Sequence, residues 1–183
     1  MRSFISICLV CVFAHTGFSQ PIRTEVTNPS SREADDSKVN SDSVPEAYAL
    51  NGQLDRLLVF RLKYQADLLA GLESMVRQHK IQNAVILSGI GSVRNYHYHV
   101  VSNRSFPSKN MYVKDSTAAA DIAGMNGYVI DGRVHAHITF SNDEKAFGGH
   151  LEPGTTVFTF AIVTIGVFKD GIDLRRVDDK TYR

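Results

Sequence analysis

The sequence is short of cysteine. Only Cys8 and Cys11 occur in 183 residues, which excludes a disulfide-stapled scaffold and any multi-cysteine zinc ribbon. It also lacks a surplus of one charge, with 20 Lys and Arg against 19 Asp and Glu and a formal net charge of +1. That excludes a protein that coats phosphate by bulk charge and a wholly disordered acidic chain. The apolar run at residues 4–14 is too short to cross a bilayer, which takes about 20 residues. What is present is an ordinary globular composition, 43% hydrophobic and 21% charged, in a length that suits one domain with appendages.

Residues 1–20 read MRSFISICLVCVFAHTGFSQ. Arg2 supplies a short positive start, the apolar core follows, and Gly17-Phe18-Ser19 puts small residues at the two positions a signal peptidase reads. Residues 1–19 are therefore expected to be a signal peptide cut before Gln20, and the protein to be exported, periplasmic or secreted. Ile7 and Val10 precede the cysteines, where a lipid-modifying signal needs a small residue. Cleavage removes both cysteines, Arg2 and His15, leaving six histidines and balanced charge. The mature chain then has no thiolate and no membrane span, so metal chemistry must run on imidazole, carboxylate or amide.

Residues 20–46 are rich in Ser, Asp, Asn and Pro, have six acidic and three basic side chains, and contain no aromatic. Ile22, Val26, Val39 and Val44 are too sparse to offset the entropy of ordering. A flexible tether without repeats is expected. The remainder, residues 47–183, carries a small basic excess and a pattern dense enough for a core. Residues 57–62 form a strand candidate, and Leu68, Leu69, Leu72, Met75 and Val76 recur on one face of a helix. Strands are expected at residues 84–88, 93–102, 111–113, 121–130, 133–140, 155–168 and 172–176. Asp131-Gly132 and Asp170-Gly171 are hairpin signals. One helix among about seven strands describes an α+β domain with a largely antiparallel sheet.

The chemistry-bearing stretch is Val134-His135-Ala136-His137, followed by Gly148-Gly149-His150. Strand residues two apart share a face, so His135 and His137 project together, about 6.5–7 Å apart at Cα. The glycine pair lets the backbone approach closely before His150, which can supply a third nitrogen. Three imidazoles with an open position suit a divalent transition metal, zinc foremost in the absence of thiolates. The same residues also fit half-buried strand histidines satisfied by hydrogen bonds, and on the residues alone both readings stand. A catalytic version adds Asp143 or Glu144 as general base; otherwise those acids solvate a turn.

Three motifs in order resemble the plants-and-prokaryotes-conserved (PPC) domain: Ile86-Leu87-Ser88-Gly89-Ile90-Gly91-Ser92-Val93, then residues 132–141 (GRVHAHITFS), then Gly148-Gly149-His150-Leu151-Glu152-Pro153-Gly154. The likeness spans about 120 residues, from Leu57 to Arg176. It implies an α+β fold, a seven-stranded antiparallel sheet with a packed helix, and assembly as a homotrimer. It further implies that His135, His137 and His150 form the family's metal-capable cluster near a subunit boundary. Plant members bind DNA through an AT-hook and contact transcription factors through a Gly-Arg-Phe-Glu-Ile-Leu segment. This chain has no hook, and residues 118–123 (AAADIA) keep only the acid and the isoleucine of that segment.

Ser88-Gly89-Ile90-Gly91-Ser92 has too few glycines for a phosphate loop and no helix after it, so a structural turn is expected. His97-Tyr98-His99 repeats the same-face pair, but nothing near it in sequence completes a ligand set, and it is taken as a surface strand. Residues 155–168 are apolar on both faces, as in a strand covered on both sides, with Phe158, Phe160 and Phe168 assigned to core or trimer interface. The leading expectation is an exported homotrimer that binds a divalent metal or small ligand through His135, His137 and His150. A metal-dependent hydrolase or lyase and a DNA-binding regulator are the alternatives, the last at odds with export.

Overall fold

The computed structural model describes residues 23–29 and 39–177. The expected signal peptide, residues 1–19, lies outside them, as do residues 30–38. Among the described residues the elements are β1 (Arg23–Pro29), β2 (Leu54–Lys63), α1 (Leu68–Gln78), β3 (Ala84–Val101), β4 (Lys109–Asp115), β5 (Ala120–Ile130), β6 (Arg133–Ser141), β7 (Ala146–Leu151), β8 (Thr156–Phe168) and a short 3-10 turn (Leu174–Val177). The α+β expectation holds, with eight strands in one antiparallel sheet.

The helix forms where the period predicts. Asp67 caps it, its Oδ1 accepting from the backbone N–H of Ala70 at 2.9 Å, and Leu68, Leu72 and Val76 are buried on the sheet. Leu69 and Met75 lie partly buried beside them. Asp67 also holds the turn after β7, its Oδ2 accepting from Gly154 N at 2.6 Å. One carboxylate therefore ties the helix start to the segment that follows the third histidine.

The long strand β3 organises the sheet. Its first half pairs with β5 on one side and β8 on the other; its second half pairs with β4 and β7. Because β6 pairs with both β5 and β7, the sheet curls until β7 meets β3 and the ring β3–β5–β6–β7 closes. Tyr96, Tyr98, Phe140 and Phe147 fill its interior, with Tyr96 and Phe147 ring centroids 4.9 Å apart. On β6 the alternation is strict, with Val134, Ala136, Ile138 and Phe140 buried and His135 and His137 outside. The break in parity between Ile122 and Met125 on β5 coincides with a register shift between Ile122 and Gly124.

Several expectations are corrected. Residues 23–29, placed in the tether, form β1 and pair with the edge of β4, because backbone pairing along seven residues needs no large apolar face. The glycines at 89 and 91 do not end a strand: β3 runs through them with register shifts. Gly91, at φ 144°, lets the backbone of Phe160 and Ala161 come too close for a side chain. Asp131-Gly132 turns as expected, both residues at positive φ. Asp170-Gly171 does not open a hairpin; the Ile172 carbonyl instead accepts from Asn83 Nδ2 at 3.1 Å and the chain turns into the 3-10 segment. Finally, the glycine-rich approach to His150 is itself a strand, β7.

Candidate metal centre

Cross-strand register builds the site. On β6 and β7, His137 is the partner of His150; on β7 and β3, His150 is the partner of His99. Directly paired residues share a face, so His99, His150 and His137 form a row across three strands outside the ring, with His135 two residues from His137. The rings of His135 and His137 stack 5.6 Å apart at 12°. His150 meets both edge-on, at 4.8 and 5.4 Å. One nitrogen from each of His135, His137 and His150 lies within 4.8 Å of the others. The three residues singled out from the sequence are thus brought together.

Two glycines make that closeness feasible. A Cβ on Gly148, at φ 155°, would strike the carbonyl oxygen of Ile138, and one on Gly149 the carbonyl oxygen of His99. Both are ladder contacts of β7, one toward β6 and one toward β3. Without side chains there, the third histidine can be delivered between the two strands.

The structure adds two residues. His99 stacks on His150 with centroids 4.6 Å apart, and its Nδ1 sits 2.6 Å from Glu152 Oε1. His99, His150 and Glu152 form a second set of donors within 4.8 Å. Taking His97-Tyr98-His99 as an uninvolved surface strand is therefore corrected for His99. His97 does serve structure: its Nδ1 pairs with the Pro153 carbonyl at 2.8 Å, and its backbone exchanges hydrogen bonds with the buried Thr155 hydroxyl. The signal for His99 was the same-face spacing of the pair. For Glu152 the only signal was its place two residues after His150, and that has meaning only once β7 is known to be a strand. Asp143 and Glu144, the suggested bases, lie on the turn at the far end of the β6–β7 hairpin. Four residues of paired strand, about 13 Å, separate that turn from His137, so the carboxylate beside the cluster is Glu152.

Burial, followed by the neighbouring His99 and His135, pushes the His150 pKa down to about 4. Burial and His99 also lower that of His137. Both are then neutral imidazoles at ordinary pH, the form that ligates a metal. Burial works against ionising Glu152, but its hydrogen bond to His99 and the surrounding imidazoles bring its pKa below the usual value. Among the described residues no buried side-chain nitrogen or oxygen lacks a partner. The case for a metal rests on donor chemistry: three convergent imidazoles, two of them held neutral by burial, an open side, and no thiolate among the described residues. That open side faces a cavity of about 710 Å³, walled by His99, His135, His137 and His150 and by the loop after β3. The donor set fits a divalent transition metal.

A curled antiparallel sheet, a single packed helix and an outward histidine cluster define a small α+β domain with a candidate metal centre. The chain belongs to the Plants and Prokaryotes Conserved (PCC) domain family, whose model matches residues 49–169. A plant- and prokaryote-conserved (PPC) protein from Pyrococcus horikoshii is 22% identical, with a TM-score of 0.57, over 73% of this chain and 94% of that one. A metal-containing protein from Archaeoglobus fulgidus is 22% identical, with a TM-score of 0.53, over 66% of this chain and 86% of that one. A protein from Bacteroides thetaiotaomicron, named as a candidate DNA-binding protein, is 14% identical, with a TM-score of 0.51, over 65% and 82%. At these identities the likeness is one of fold. No curated protein matches the chain.

Proposed function

We propose that this protein is an exported homotrimer that binds a divalent transition metal, zinc by ligand type, through His135, His137 and His150. The observation that carries the metal reading is the convergence of three imidazole nitrogens within 4.8 Å on one sheet face. The metal-containing neighbour from Archaeoglobus fulgidus supports it. Export rests on the leader pattern of residues 1–19 and is tested by the N-terminus of the protein isolated from the source cell, expected at Gln20. The trimer is supported by an unpartnered apolar face on β2, β3 and β8, where Leu57, Val59 and Ile90 are 60%, 66% and 54% exposed. An apolar patch of that kind marks an association surface.

The test of the metal reading is elemental analysis of the full chain after loading and gel filtration. The expected result is one metal per chain in the parent protein and loss of it in the double variant His135→Ala/His137→Ala, with far-UV circular dichroism unchanged. Metal retained by that variant refutes the assignment. A nucleic-acid reading draws on the resemblance to the plant members and on the naming of the Bacteroides neighbour; a salt-sensitive gel shift with duplex DNA, from protein retained in the cytoplasm, would favour it instead.

A further inference from the structure

We infer that the cavity beside the histidine cluster is a site for a small dicarboxylate, one carboxylate on the metal and the other on Arg104. The inference rests on the metal reading above and adds to it the class of ligand. The cavity, about 710 Å³, is of the size that encloses a small organic molecule. Its walls are unlike. One is the histidine row; the other is the loop of residues 102–108, which contributes Arg104, Ser105 and Ser108.

Charge selects the ligand. No Asp or Glu lines the cavity, and Arg104 is the lining residue that is cationic at every working pH. Among the described residues Arg104 makes no ion pair, whereas the nearby carboxylate of Glu152 is engaged by His99 and lies outside the lining. A divalent metal on the histidines would add two more positive charges, so the half-open cavity calls for a dianion. Arginine's planar fork takes a carboxylate through two parallel hydrogen bonds, and a three-histidine metal keeps a position open for an oxygen donor. The serine hydroxyls of Ser105 and Ser108 and the amide of Asn110 remain on the wall for oxygens in between.

The loop is built to hold its position. Asn103 staples it: Nδ2 donates to the carbonyls of Ser105 at 2.7 Å and Pro107 at 2.9 Å, and Oδ1 accepts from Lys109 N at 2.8 Å. Ser102 closes its base through Lys109 O, by backbone N–H at 2.8 Å and by hydroxyl at 3.0 Å. Arg104 therefore stands on a braced loop that lines the same cavity as the histidines, and a braced backbone limits what must be ordered on binding. A phosphate site would be expected to use a helix N-terminus or a nest of backbone amides, and the only α-helix among the described residues contributes nothing to this lining. That favours carboxylates.

The test is calorimetric titration of the metal-loaded full chain with malonate, succinate and glutarate, with butyrate as the one-carboxylate control. At least one dicarboxylate is expected to bind, and to bind about ten- to hundredfold more weakly to Arg104→Gln. Butyrate should show a loss of similar size on the parent protein, and Arg104→Lys should recover part of the affinity. Metal content of Arg104→Gln, measured on the same samples, should equal that of the parent. Metal present with no dicarboxylate bound, or with unchanged affinity in Arg104→Gln, overturns this inference and leaves the metal reading standing. Failure of the parent to take up metal overturns both.

Discussion

At the scale of single residues, the site depends as much on what is missing as on what is present. Gly149 carries no functional group, yet its lack of Cβ lets β7 lie against the carbonyl oxygen of His99 and the side chain of Val100. Gly149→Ala should destabilise the fold by about 1–3 kcal/mol, the usual range for forcing an added methyl into a filled space. Thermal unfolding followed by circular dichroism checks this; an unchanged midpoint would mean that β7 can step away from β3 freely. The histidines make a second prediction. In metal-free protein His150 holds its proton only near pH 4, whereas in the unfolded chain an imidazole takes it up near 6.5. Between those values the unfolded state binds the proton preferentially, so stability is fullest above about pH 6.5 and declines as the pH falls toward 4. His137 shifts in the same sense. Urea midpoints of chelator-treated protein from pH 7.5 to 4 should show the decline, and His150→Asn should flatten it.

At the scale of elements, the helix and the β6–β7 hairpin are joined through Asp67, which caps α1 and accepts from the backbone of Gly154. Replacing it with alanine removes a cap, worth about 1 kcal/mol, and leaves a second N–H without its acceptor. Asp67→Ala should therefore cost about 1–2 kcal/mol, a fall of several degrees in Tm. Asp67→Ser, which can still cap, should recover part of it. The elements also show where local pattern carries information. Helix α1 was readable because Leu68, Leu72 and Val76 repeat with its period, and β6 because its buried and exposed residues alternate without exception. Strand β7 was hidden. Its sequence, AFGGHL, has two glycines at its centre, and glycine has low strand propensity until a neighbouring backbone comes close. Strand β1 was hidden for the opposite reason: its sequence is polar, and its order comes from the edge of β4 that it covers.

At the scale of the whole molecule, the outer face of β2, β3 and β8 is the surface to probe. It presents Leu57, Val59, Leu87 and Ile90 together with Phe158 and Phe160, all exposed in the single chain. If this face joins the subunits, Val59→Glu combined with Ile90→Glu should shift the mass by light scattering from trimer to monomer while metal content per chain is kept. A trimer that survives both charges places the interface elsewhere.

The sequence by itself determined the donors and the side of the strand on which they stand, because alternation along a strand is a local property of two neighbouring peptide units. It therefore indicated His135, His137 and His150, the α+β class, and the helix. It did not indicate His99 and Glu152. The separation between His99 and His150 is 51 residues of chain, and their pairing exists only because the sheet curls far enough for β7 to meet β3. That closure is set by the aromatic residues inside the ring and by bare backbone at Gly148 and Gly149, not by any pattern near His99. The fold thus turned a surface strand into one wall of the site, and Glu152, just past the end of β7, into the partner of His99.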